Sequence, residues 1–216
     1  MVIRDWSSDV CSSDLELLFF MYDDEVHDLL LRELPDILAM SDRFRYTVHM
    51  PDEVVSGHED IVRLLDPVAD AYILHPPRHD AGLPAFVELL DDWRPRWGAE
   101  RFLLENTTLQ RFDAAEAALV RSRSGPPLLC ADVGHLMLQG VSPAEWLVSR
   151  GTRVRELHVH GVSGGTDHVP FDTAEPWVTS LAPFVHSFEG VVELELFDWQ
   201  QIAELAAPLR TAWNLV

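Results

Sequence analysis

The segment Arg155–Pro170, RELHVHGVSGGTDHVP, holds His158, His160, Asp167 and His168 around a Gly-rich turn. Imidazole nitrogens beside a carboxylate are the donors that a borderline divalent metal selects. In an extended strand His158 and His160 point to one face, because side chains alternate with a period of two. Five further apolar runs end in the same kind of residue: His49 in TVHMP, His75 in ILHPP, Glu105 in LLENT, Asp132 with His135 in CADVGH, and Glu195 in ELELF. One histidine at a strand end is commonly an ordinary hydrogen-bonding residue; six matching strand ends call for a shared purpose. Glu105 and Glu195 would also be carboxylates at the ends of buried strands, where an unpaired charge is costly and a metal removes the cost. Glu193 shares the face of Glu195 one step deeper, as a supporting or structural group. His160 reads equally as a ligand or as a donor behind one. His27, His58, His79 and His186 sit in helical or loop contexts, and Cys130 reads as a small core residue. Arg94, Arg96 and Arg101, near Trp93 and Trp97, read as a solvated helix end, one of which could meet an anionic substrate.

Such residues act together only if separate elements carry them to one place. From Glu16 onward, short apolar runs alternate with helical patterns, the layout of parallel β/α units. The runs are Leu15–Met21, Arg45–Met50, Ala71–Pro76, Arg101–Thr107, Pro127–Val133, Val154–Val162 and Val191–Phe197. Apolar spacing predicts helices over Asp24–Met40, His58–Leu65, Leu83–Trp93, Asp113–Arg121 and Ser142–Ser149, with Gln200–Ala206 last. Ser142-Pro143-Ala144-Glu145 supplies a capping Ser, Pro at the first helical position and Glu at the third. The strands are nearly continuously apolar, as in a sheet covered by helices. The expected fold is α/β, a (β/α)₈ TIM barrel lacking its first strand and helix, in one domain over residues 16–216; an open doubly wound sheet is the alternative. In a barrel the C-terminal strand ends converge on one active site, which is where the six chemical residues fall.

Asp5–Leu15, DWSSDVCSSDL, matches the translation of a sequencing adapter. Residues 1–15 are therefore expected to be an artefact fused to a truncated gene, and are set aside. Cys130 is then the only cysteine, so no intrachain disulfide can form and a cytoplasmic location is expected. No run approaches the roughly 18 apolar residues of a membrane span. The formal charge is −20, all 16 basic residues are Arg, and there is no Lys. This excludes a Schiff-base lysine or a Walker-type phosphate lysine. It also disfavours nucleic acid as a partner, because binding its backbone requires many neutralised phosphates. A small-molecule substrate is expected instead.

The order HxP, HPP, ENT, DxGH, HxHG, DH, E resembles the xylose-isomerase-like barrel superfamily, and within it the endonuclease IV-type branch (AP endonuclease family 2). The resemblance runs over nearly all of residues 16–216 and implies a cluster of two or three divalent ions, zinc or manganese. Carried over by motif, His49 and His75 are similar to that branch's two early histidines, and Glu105 and Glu195 to its bridging glutamates. Asp132 and His135 resemble its Asp-x-x-His pair, His158 its late-strand histidine, and Asp167 and His168 its last Asp and His. Here Asp167 and His168 are adjacent, whereas the branch separates that pair by one residue. YTVHMP, LHVHGV and TDHVPF look most like the cobamide-remodelling phosphodiesterases, which implies hydrolysis of the phosphodiester in the cobamide nucleotide loop.

On that reading the chain is a metal-dependent phosphodiesterase in which Glu105 and Glu195 bridge the ions. The alternative is a sugar isomerase or epimerase, with one ion held by Glu105, Asp132, His158 and Glu195 and a carboxylate moving the proton. The extra histidines His49, His75, His135 and His168 motivate the first reading, and only His49 and His75 separate the two, because a one-metal site does not need them as ligands. Gly161-Val162-Ser163-Gly164-Gly165 also fits the G-x-S-x-G nucleophile elbow, but that motif requires a helix directly after it and TDHVPFD breaks one. A non-catalytic binding module on a degenerate barrel is the remaining possibility.

Overall fold

The structure, a computed structural model, describes residues 2–4 and 14–215. Most of the adapter-like segment, residues 1 and 5–13, lies outside the described residues. Strands β1 (Val2–Arg4), β2 (Asp14–Leu18), β3 (Arg45–His49), β4 (Ala69–Leu74), β5 (Phe102–Glu105), β6 (Leu128–Asp132) and β7 (Val154–Val159) come first. A hairpin of β8 (Gly161–Ser163) and β9 (Thr166–Val169) follows, and then β10 (Val191–Leu194). The main sheet has the order β1-β2-β3-β4-β5-β6-β7-β10. From β2 to β10 its seven strands are parallel, and β1 is antiparallel to β2. The sheet forms a nearly closed α/β barrel, as the run of apolar strands predicts.

The helices are α1 (Asp24–Ala39), α2 (Glu59–Leu65), α3 (Leu83–Trp97), α4 (Leu109–Val120), α5 (Val133–Leu138), α6 (Pro143–Arg150), α7 (Pro176–Val185) and α8 (Trp199–Ala212). Side chains at the N-caps close several of these helices. Asp23 accepts from Val26 N, Ser142 from Glu145 N, and Asp198 from Gln200 N and Gln201 N. Two helices escape sequence reading. α5 is only 6 residues long, too short to show a period, and in α7 the prolines Pro176 and Pro183 mask the apolar face of Val178, Leu181 and Val185. α4 starts four residues before the expected Asp113, and α8 runs through Pro208 to Ala212.

Two apolar layers hold the barrel. The larger packs helices such as α1 (Leu30, Ile37) and α8 (Ile202, Leu205, Leu209) on the outside of the sheet. The smaller lies inside it, where Ala71, Ile73, Leu103 and Cys130 form their own cluster. Alternation carries these inward ladders upward by two residues at a time, from Ile73 to His75, Leu103 to Glu105 and Cys130 to Asp132. The apolar layer therefore ends where the polar one begins.

Of the arginines expected at a solvated helix end, Arg96 is exposed in the last turn of α3 as expected, whereas Arg94 and Arg101 are structural ties. Arg94 is buried and donates to Gly125 O (2.9 Å) and Pro126 O (3.1 Å). Arg101 donates to Ala69 O (2.7 Å), and Arg96 pairs with Asp92 and Glu59. None of the three is among the residues that gather at the strand ends. The nucleophile elbow also fails: Gly161–Ser163 leads through Gly164 (φ 59°) and Gly165 (φ 83°) into β9, not into a helix. Among the described residues, no helix is long and apolar enough to cross a membrane.

Candidate metal centre at the strand ends

The polar layer is built around Glu105, at the end of β5 and 1% exposed. Its Oε2 lies 3.2 Å from His49 Nε2 and 3.0 Å from His75 Nε2. Its Oε1 lies 3.5 Å from His135 Nδ1 and 3.9 Å from His158 Nδ1. Burial works to raise the Glu105 carboxyl, but the imidazoles of His75, His135 and His49 outweigh it and hold the group well below the usual carboxylate range. Across the barrel, Glu195 Oε2 lies 3.3 Å from His158 Nδ1 and 3.4 Å from His168 Nε2. Asp132 and His158 are register partners on β6 and β7, and the ligand atoms of Glu105, Asp132 and His158 lie within 4.8 Å of one another.

The other side of the centre hangs on α5 and the hairpin. Asp132 caps α5 by accepting from His135 N at 2.6 Å, and its Oδ2 is 3.0 Å from His135 Nδ1. The Asp-x-x-His spacing thus places a side chain and its neighbour on one helical turn. Burial disfavours a charged His135, but Asp132 and Glu105 prevail and raise it to about 9. Asp167 Oδ2 lies 3.7 Å from His135 Nε2, and Asp167 Oδ1 lies 3.2 Å from His168 Nδ1. Adjacent residues of a strand normally face opposite ways. His168 has φ 52°, a left-handed backbone that breaks the alternation and brings both side chains to the same site. The adjacency of Asp167 and His168 is therefore no obstacle to a shared centre.

His160 sits beyond the end of β7, fully buried, with Nε2 3.1 Å from Asp132 Oδ1. Glu193 faces the opposite side of His158. His158 Nε2 lies 3.4 Å from Glu156, 3.5 Å from Glu193 and 3.6 Å from Glu16, all buried one layer below the strand ends. Sequence reading missed Glu16 and Glu156, although LELLFF and RELHV carry the same signal as ELELF, an acid within an apolar strand. It also missed two supporting groups. Asp52 Oδ1 lies 3.3 Å from His75 Nδ1, leaving Nε2 for the centre, as carboxylates behind metal-binding histidines do. Asn106 pairs with the backbone of Asp132 in both directions at 2.9 Å, tying the end of β5 to the end of β6.

These residues fit divalent ions. Two donors on one tetrahedral zinc, each about 2.0–2.1 Å from it, stand about 3.3 Å apart. The separations around Glu105 and Glu195 run from 3.0 to 3.9 Å. Glu105 Oε2, His135 Nδ1, His158 Nδ1 and Glu195 Oε2 are buried without a hydrogen bond, so these atoms converge without satisfying one another. His49, His75 and Glu105 form one donor set, Glu105, Asp132 and His158 a second, and Asp132, His135, His160 and His168 a third. A cavity of about 420 Å³ opens onto His75 and His135, and one of about 820 Å³ flanks His75 between Asp52 and Trp93.

No known family model matches the chain, and no curated protein is similar to it in sequence. Solved structures are similar in fold. A xylose isomerase domain protein from Planctomyces limnophilus matches with a TM-score of 0.63 and 14% identity, over 95% of this chain and 90% of that one. The probable 3-DHS dehydratase of petrobactin synthesis from Bacillus anthracis matches with a TM-score of 0.59 and 11% identity, over 93% and 88%. A 3-keto-D-glucoside 4-epimerase from E. coli matches with a TM-score of 0.56 and 15% identity, over 85% and 86%. The fold is therefore a xylose-isomerase-like TIM barrel. At these identities the likeness extends to the fold alone.

Proposed function

We propose that the chain is a metal-dependent phosphodiesterase acting on a small-molecule diester, with the nucleotide loop of a cobamide as its substrate. The observation that carries this is the position of Glu105, one carboxylate facing His49 and His75 with one oxygen and His135 and His158 with the other. A carboxylate between two histidine groups suits a bridge between ions. In this reading His49, His75 and Glu105 hold one ion, Glu105, Asp132, His158 and Glu195 a second, and His135, Asp167 and His168 a third. Ions held there, zinc or manganese, would supply an acidified water and neutralise charge on the phosphoryl and leaving oxygens. The chain's own part is to position the donors: Asp52 orients His75, and Asn106 fixes Asp132. The cobamide assignment draws on the motifs YTVHMP, LHVHGV and TDHVPF, and a charge of −20 without Lys suits a small diester better than nucleic acid. The test is elemental analysis of protein purified without chelator, followed by incubation with a cobamide. Two or three ions per chain and release of an α-ribazole phosphate are expected; a single ion with no diester cleavage overturns the proposal.

One observation favours a second reading. The donor atoms of Glu105, Asp132 and His158 converge, and Glu195 reaches His158, so a single ion could be held as in a sugar isomerase or epimerase. Solved barrels of this fold include proteins described as epimerases and isomerases. On that reading His49 and His75 become dispensable for ion binding.

A further inference from the structure

His160 lies within reach of the same donor set as Asp132, His135 and His168, and its type makes it an obvious ligand. Its hydrogen bonds point elsewhere. The backbone N–H of His168 donates to His160 Nδ1 at 3.0 Å. A backbone N–H is always a donor, so Nδ1 presents its lone pair there and carries no proton. Gly161 O is 3.2 Å from the same nitrogen, a proximity set by its being the next residue in the chain. The ring proton is then on Nε2, which lies 3.1 Å from Asp132 Oδ1 and 3.2 Å from Oδ2. Neither nitrogen keeps a lone pair for an ion.

We propose that His160 is a positioning residue which joins the β8–β9 hairpin to Asp132, and not a metal ligand. Three features built around the ring serve that link. A Cβ at Gly134 of α5 would overlap the imidazole, so glycine there makes room for the ring against the turn that carries His135. His168 stacks on the other face of His160 at 4.1 Å between centroids and 16° between planes, and stacks in turn on Phe197 at 5.0 Å. His168 holds its left-handed backbone while its N–H is committed to His160. The imidazole thereby locks Asp132 on one side and the strained corner of the hairpin on the other, so that Asp167 and His168 meet His135 in a set geometry.

The inference rests on the metal reading only for its consequence; the ring's protonation can be tested without metal. Long-range ¹H–¹⁵N NMR of the metal-free chain should show His160 with Nε2 protonated and Nδ1 bare, and the opposite tautomer overturns the proposal. Cobalt(II) titration of the wild type, His160→Gln and His160→Ala then separates positioning from ligation. Gln can donate to Asp132 and accept from His168 N. The Ala variant should bind its weakest ion about 10- to 100-fold less tightly, with Gln restoring most of the loss. X-ray absorption at saturating cobalt should show an unchanged average number of imidazoles per ion. A His160→Gln variant as weak as Ala and one imidazole short makes His160 a ligand. An Ala variant that binds like the wild type, with the same thermal midpoint, removes its role. A wild-type chain that takes up no cobalt refutes the metal reading and leaves the NMR result standing by itself.

Discussion

The two halves of the centre are built in different ways. His49, His75 and Glu105 stand at the ends of adjacent parallel strands, with Glu105 1% exposed and His49 5% exposed. Their positions follow from backbone ladders that the whole barrel enforces. His135, Asp167 and His168 stand on a short helix and a two-stranded hairpin, with the Asp167 side chain 38% exposed. Their positions depend on one cap, one left-handed residue and one buried imidazole. Strand ends give a site rigidity at no local expense, whereas a hairpin must be held by specific side chains and can be released by removing one of them.

The largest break of this comparison is Glu105→Ala. It removes the carboxylate that both histidine groups face, and turnover should fall by on the order of 10³-fold or more, the scale of several kcal/mol of lost charge stabilisation. Ion content should drop by at least one per chain while the far-ultraviolet circular dichroism stays unchanged; full diesterase activity would sink the assignment. His75→Ala should act similarly through the first donor set alone.

His168→Ala is the next step. It should cost one ion per chain and leave the strand-end ions in place, so that elemental analysis gives one fewer metal and activity falls less than in Glu105→Ala. Equal losses in both variants would mean that the two halves form a single indivisible centre. Asp52→Asn, which removes a carboxylate from His75 Nδ1, should weaken ion binding about 10- to 100-fold and be corrected by excess metal. A binding constant unchanged from wild type would show that His75 needs no such support.

The smallest effect is one of protons. In the metal-free chain His135 is raised to about 9, so it is protonated at pH 7, and a ligand must be deprotonated to bind. Ion uptake by the hairpin half should therefore release protons at pH 7. Affinity should rise with pH and level off above about 9. Calorimetry in buffers of different ionisation enthalpy reads this directly, and binding indifferent to buffer would contradict it.

Much of this molecule was legible in its sequence because the relevant signals are local and periodic. Apolar runs ending in His, Glu or Asp mark both the strands and, by alternation, the residues that turn inward at their ends. The same rule, applied two residues earlier, would have found Glu16 and Glu156. Other features lay beyond one-dimensional reading. Asp52 reaches His75 across 23 positions and Asn106 reaches Asp132 across 26, contacts that exist only once neighbouring strands have set their register. Arg94 looks like any surface arginine in sequence, yet it is buried against the carbonyls of Gly125 and Pro126. His160 shows the division most plainly: its spacing from His158 specified a shared face, but which atom meets each nitrogen was decided by a hairpin folding back eight residues later. Composition and period determine which residues face the barrel axis, because backbone geometry alone dictates side-chain alternation. Tertiary structure decides what each of them does there, because a hydrogen bond depends on the placement of two groups and the sequence specifies only one of them at a time.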